Sequence, residues 1–68
     1  MAEKKYRDAR KMAGLRAEEA CAKLGVSITT LYNWENGITT PDANKLRDMA
    51  LMYGVSADYI LGLAFSSQ

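Results

Sequence analysis

A chain of 68 residues, 49% of them apolar and 25% charged, has room for one compact domain with a modest core and excludes a multidomain arrangement. The lone Cys21 excludes an internal disulfide, and one cysteine without any histidine excludes the usual soft-metal clusters. A formal net charge of +1 excludes a surface that is basic throughout: through Ser27 seven Lys and Arg face four carboxylates, and from Ile28 onward two face four.

With neither a signal peptide nor a transmembrane run in these residues, a reducing, cytoplasmic setting is expected. The one proline and five glycines stand where helices can stop. No alternation of β-branched residues suggests a strand. The expectation is an all-α fold, a single domain over 1–68 with its core at about 3–62 and a tail at 63–68.

The spacing predicts a first helix over about 3–13, with Tyr6, Ala9, Arg10 and Ala13 on its inward stripe. Arg10 is the odd member. A cation on an apolar stripe needs a partner, because burying it alone is very costly, and Glu35 is the candidate. Gly14 ends this helix. A second helix over about 17–24 turns Ala17, Ala20, Cys21 and Leu24 inward, small residues that let a neighbour come close. Glu19 and Lys23 pair on its outer face. Arg16 holds the N-cap position without an acceptor to cap with.

The next stretch organises the chain. Gly25 can take φ > 0 and end the second helix, Val26 plugs the corner, and Ser27 is a good N-cap. A third helix over 28–36 follows, closed by Gly37. At about 100° per residue, Leu31 and Trp34 fall on one arc and belong to the core. Ile28, Thr29, Tyr32 and Asn33 fall on the other, with no charge among them. A short helix anchored on one side and displaying Thr, Asn, Tyr and Ile on the other suits the reading of base edges in a major groove. Thr29, Thr30 and Asn33 are mediocre helix formers, so their place on an exposed face favours function over stability. Tyr32 either touches a phosphate or shields Trp34.

Beyond the loop 38–42, Asp42 caps a fourth helix over 43–53, with Leu46, Met49, Ala50 and Tyr53 inward. Gly54 stops it, Val55 plugs the next corner, and Ser56 caps a short fifth helix that carries Ile60 and Leu61 inward before Gly62. In the tail, Leu63 and Phe65 either fold back on the domain or contact a second copy, and the scarcity of cations favours the second. No acid–base pair, nucleophile–base set, phosphate loop or metal cluster is visible, so no enzyme is expected.

Gly14-Leu15, Glu18-Glu19, Lys23-Leu24-Gly25-Val26-Ser27, Trp34-Glu35-Asn36-Gly37, Pro41, Leu46, Ala50 and Gly54-Val55-Ser56-Ala57-Asp58-Tyr59-Ile60-Leu61 together resemble, in order and spacing, the Cro and phage-repressor type of helix-turn-helix domain. The resemblance covers about 6–62. It implies a compact five-helix bundle of the lambda-repressor kind and sequence-specific binding to double-stranded DNA, usually as a homodimer on a two-fold site. It implies no cofactor and no small-molecule ligand. By position, Ile28, Thr29 and Asn33 match base-reading residues, with Ser27 at their edge. Asn36 matches a phosphate contact, and Thr39 and Thr40 match a loop that touches the backbone. Thr30 and Tyr32 join the phosphate set. Arg10 and Glu35 match a structural pair. The family's second helix usually opens with a Thr or Ser cap followed by a phosphate-clamping Gln. Arg16 and Ala17 stand there instead, which leaves Arg16 to reach the phosphate as a charge. The expected function is a transcriptional regulator, a repressor that reads DNA as a homodimer. The rival is a protein-interaction module of the same fold, such as an antitoxin-like or phage-switch partner.

Overall fold

The computed structural model describes residues 4–63. Five helices follow one another: α1 (Tyr6–Met12), α2 (Ala17–Leu24), α3 (Ile28–Glu35), α4 (Ala43–Tyr53) and α5 (Ala57–Ile60). No strand occurs among the described residues. Each of the last three helices begins at a short polar side chain that satisfies a free backbone donor of the first turn. Ser27 Oγ accepts from Thr30 N at 3.1 Å, Asp42 Oδ1 from Lys45 N at 2.8 Å and Ser56 Oγ from Tyr59 N at 3.0 Å. Opening α2, Arg16 has no acceptor to offer, and the roles reverse: Glu19 Oε1 accepts from the Arg16 backbone N–H at 2.9 Å.

All five helices reach one centre. Ala9, Ala20, Leu31, Met49 and Ile60, one from each helix, are completely covered. Tyr6, Ala17, Leu24, Trp34 and Tyr53 surround them, and Val26 and Val55 pack against the cluster from the two corners. Gly25 at α2's end, with φ 74°, turns the chain where a side chain would be strained. One further tie spans elements: Lys45 Nζ on α4 donates to the Leu24 carbonyl at 2.8 Å. A cation there meets both an unsatisfied carbonyl and the negative end of the α2 dipole.

Four details depart from the sequence reading. Helix α1 starts at Tyr6 rather than near residue 3, since Lys5 is its cap and is not helical; Glu3 lies outside the described residues. The Lys5 N–H donates to the Ile60 carbonyl at 2.6 Å, which ties the start of α1 to the end of α5. Ala13 is exposed rather than inward, because α1 ends at Met12 and the chain swings out toward Gly14. Asn36 is the C-cap of α3 rather than its last residue. Leu61 follows α5 as its C-cap and is half-buried. Of the tail residues assigned to a fold-back or dimer contact, Leu63 is exposed and Phe65 lies outside the described residues. No described helix is long and apolar enough to cross a membrane.

Candidate nucleic-acid interface

The site is built on α3, and α3 is held from behind. Leu31 and Trp34 sink into the core. Beside them the Glu35 side chain is fully covered, and the Arg10 side chain is 9% exposed. Arg10 meets Glu35 through two bonds, Nε to Oε2 at 2.7 Å and Nη2 to Oε1 at 3.1 Å. Its Nη1 donates to the Leu15 carbonyl at 3.2 Å, so each guanidinium nitrogen is used. The bond to Glu35 raises the Arg10 pKa further above its ordinary value, against the opposing effect of burial. Arg10 thus stays charged, and its contact with Glu35 is bidentate, the geometry in which a buried ion pair is tolerated.

A second arginine joins this pair. Arg7 Nε donates to Glu35 Oε1 at 3.1 Å, and Arg7 Nη2 donates to Asn36 Oδ1 at 2.7 Å. One carboxylate therefore takes two cations from α1. Helical spacing leaves Arg7 off the inward stripe of α1 and gives it no partner. Its place in this network depends on how α1 crosses the end of α3, and spacing along α1 does not carry that information.

The opposite side of α3 faces outward. Ser27, Thr29, Tyr32 and Asn36 are exposed, while Ile28, Thr30 and Asn33 are half-buried. The Asn33 side chain makes no hydrogen bond to a described residue, so both its donor and its acceptor are free. Its backbone carbonyl is occupied, accepting from Ile38 N at 2.8 Å and Thr39 N at 3.3 Å. These two bonds pin the loop that carries exposed Thr39 and Thr40 to the end of α3. Ser27 Oγ lies 3.0 Å from Thr30 Oγ1, so the two hydroxyls share one bond and keep one free proton between them. Ile28 packs in part against the core, which leaves only a portion of its surface for a partner. The Arg16 side chain is 82% exposed, and its nearest carboxylate, Glu19, is 4.0 Å away. A surface contact so long holds the guanidinium weakly.

The helix-turn-helix family profile matches residues 7–60. The chain belongs to that family. Two of its curated relatives come from Bacillus subtilis strain 168. The helix-turn-helix transcriptional regulator ImmR is 37% identical over 59 residues, which covers 87% of this chain and 46% of the relative. The uncharacterised helix-turn-helix transcriptional regulator YobD is 36% identical over 59 residues, covering 87% of this chain and 53% of that protein. The chain thus spans about half the length of the curated relatives it matches. No solved structure matches it significantly. As a helix-turn-helix domain it has one local peculiarity: Ala17, at the position where a phosphate-clamping Gln is expected, is buried in the core.

The site also holds an unusual tyrosine. The Tyr53 hydroxyl is buried with no hydrogen-bond partner among the described residues. Burial pushes its pKa up to about 12, the negative charge of Glu35 adds to the rise, and Arg10 opposes it. The unfolded chain releases this proton near pH 10. Below that pH both states hold it, and between about pH 10 and 12 only the native state does, so stability falls as pH rises through that window.

Two predictions follow from this geometry. Arg10→Ala leaves a carboxylate buried behind α3 and should cost about 3–5 kcal/mol, read as a lowered urea midpoint, and an unchanged midpoint would refute the buttress. Tyr53→Phe removes a hydroxyl that has no partner. Stability near pH 7 should hold or rise, and the loss between about pH 10 and 12 should shrink to the share of Tyr6, whose pKa burial also raises. A Phe variant that is weaker at neutral pH by more than about 1 kcal/mol would mean that the hydroxyl is bonded.

Proposed function

We propose that this chain is the DNA-binding unit of a transcriptional repressor that reads the major groove with α3 as a homodimer. One observation carries the reading: the outer face of a rigidly backed helix presents uncharged hydrogen-bonding groups, and the Asn33 amide has no partner among the described residues. An amide of this kind can donate and accept at one adenine edge. The methyl group of Thr29 and the exposed part of Ile28 can pack on a thymine methyl, which supports a half-site containing A·T pairs. Ser27 reaches the edge of this set when Thr30 donates to it, which leaves the Ser27 hydroxyl proton free. Phosphates are held by Arg16, Thr30, Tyr32, Asn36, Thr39 and Thr40, together with free backbone amides at the starts of α2 and α3. Two copies would place their α3 helices about 34–36 Å apart, one turn of duplex. The names of the two relatives, both transcriptional regulators, support the same direction. The role is one of binding in the cytoplasm, without catalysis.

A second reading keeps the fold and gives the face to a protein partner. The net charge of +1 and the buried Ala17 favour it. The polar character of the α3 face weighs against it, because the centre of a protein-binding patch is usually richer in apolar surface.

Selection of bound duplexes from a random pool at low salt, with wild type and Asn33→Ala, separates the two. An enriched palindrome that the variant fails to select is the expected result. No enrichment with either protein would turn the assignment to a protein partner. Titrated against salt, the selected duplex should show a shallow slope of about −2 to −4 per domain, since few cations are available to displace counterions. A steep slope would reveal a larger basic surface at the interface and contradict the proposed contact set.

A further inference from the structure

We infer that Arg7 is a positioning residue that turns Asn36 into a one-way hydrogen-bond donor aimed at an anionic oxygen, the phosphate of a DNA backbone. The inference rests on the DNA-binding reading above and gives it an atomic feature. A guanidinium has donors only and no acceptor. The 2.7 Å contact between Arg7 Nη2 and the Asn36 side chain therefore settles which end of the amide faces inward: it must be the oxygen. The amide NH₂ is left on the outer side of an exposed residue, with no described group to receive it. An asparagine without such a neighbour can flip and present either end. Here one rotamer is selected, and only an acceptor satisfies it.

The charge around it points the same way. Arg7, Arg10 and Glu35 form one connected cluster with one more cation than anion. The Glu35 carboxylate is completely covered, whereas the Arg7 side chain is 44% exposed. The negative charge is hidden and the surplus positive charge is turned outward, next to the donor amide. A neutral acceptor would gain little from this, and an anion gains from both the donor and the charge. The amide sits at the C-cap of α3, where the helix dipole disfavours anions. The surplus cation offsets that effect, which gives a physical reason for a second arginine beside an ion pair that Arg10 alone would complete.

A double-mutant cycle tests the coupling. Arg7→Met keeps the aliphatic stem and removes the donor fork, and Asn36→Ala removes the amide. Binding is measured with the duplex selected by the wild type and with a random duplex, and the melting temperature of each variant is recorded. Asn36→Ala should weaken binding to both duplexes about tenfold or more, the size of one lost charge-assisted bond. Arg7→Met alone should weaken it several-fold. Combined, the two should lose clearly less than the product of the single losses, because much of what Arg7 does runs through the amide. Base preference should be unaltered, since a phosphate contact carries no sequence information. Losses that multiply would make Arg7 a separate charge and overturn the inference, as would an Arg7→Met protein that binds as well as wild type. If wild type selects a duplex and these results fail, only this inference falls. If wild type binds neither duplex, the DNA-binding reading falls with it.

Discussion

The ion pair between Arg10 and Glu35 is the constraint on which the rest of the domain depends. Two charges taken out of water repay their desolvation only when the geometry is good and the remaining polar atoms are satisfied. Here both requirements are met: the contact is bidentate, a third nitrogen reaches the Leu15 carbonyl, and a second cation covers the carboxylate from outside. Such a pair permits little sliding between its helices, so α1 and α3 are set in one register. That matters because α3 has only eight residues, too few to hold a helix in water by propensity alone. Its existence and its aim both come from tertiary contacts, namely Leu31 and Trp34 in the core and Glu35 on Arg10.

A helix fixed in this way can afford an outer face chosen for something other than stability. Thr29, Asn33 and the shared hydroxyls of Ser27 and Thr30 contribute little to packing. They offer neutral hydrogen bonding at defined positions, and the two bonds from the loop to the Asn33 carbonyl hold Thr39 and Thr40 beside them. In DNA recognition, phosphate contacts supply most of the affinity and base contacts most of the discrimination. A domain with a net charge of +1 has little of the first. The proposed function therefore leans on base contacts and on pairing of two copies, and the few cations near the interface must be well placed. In the proposed interface Arg16 takes the place of a missing amide at the start of α2, and Arg7 fixes the one at the end of α3.

Much of the fold is legible in the sequence because its helix boundaries are written in local chemistry. Ser27, Asp42 and Ser56 cap as short polar acceptors do, and the glycines stop helices where φ must turn positive. The Arg10–Glu35 contact is legible for a different reason. A cation on an apolar stripe demands an anion, and Glu35 stands beside the two core residues of α3. What spacing does not carry is anything that depends on how helices cross. The Lys5 N–H bonds the Ile60 carbonyl, Lys45 reaches across to the Leu24 carbonyl, and Arg7 shares Glu35 and takes Asn36. Each joins residues far apart in sequence through long side chains or backbone ends that have no periodic signature. Ile28 marks the same limit within the site. Helical phase puts it on the outer arc, yet its place in the first turn after the corner brings part of it against the core.

The measurement that bears most directly on the account is a nuclear magnetic resonance titration of the isotopically labelled chain with the duplex it binds most tightly. The largest shifts are expected at Ser27, Thr29, Asn33, Asn36 and the Thr39–Thr40 loop, including the side-chain amides of both asparagines. The Arg10 Nε–H signal should stay in place, because the buttress behind α3 is already formed. Shifts confined to surfaces away from α3, or a displaced Arg10 signal that reports a remade ion pair, would contradict it.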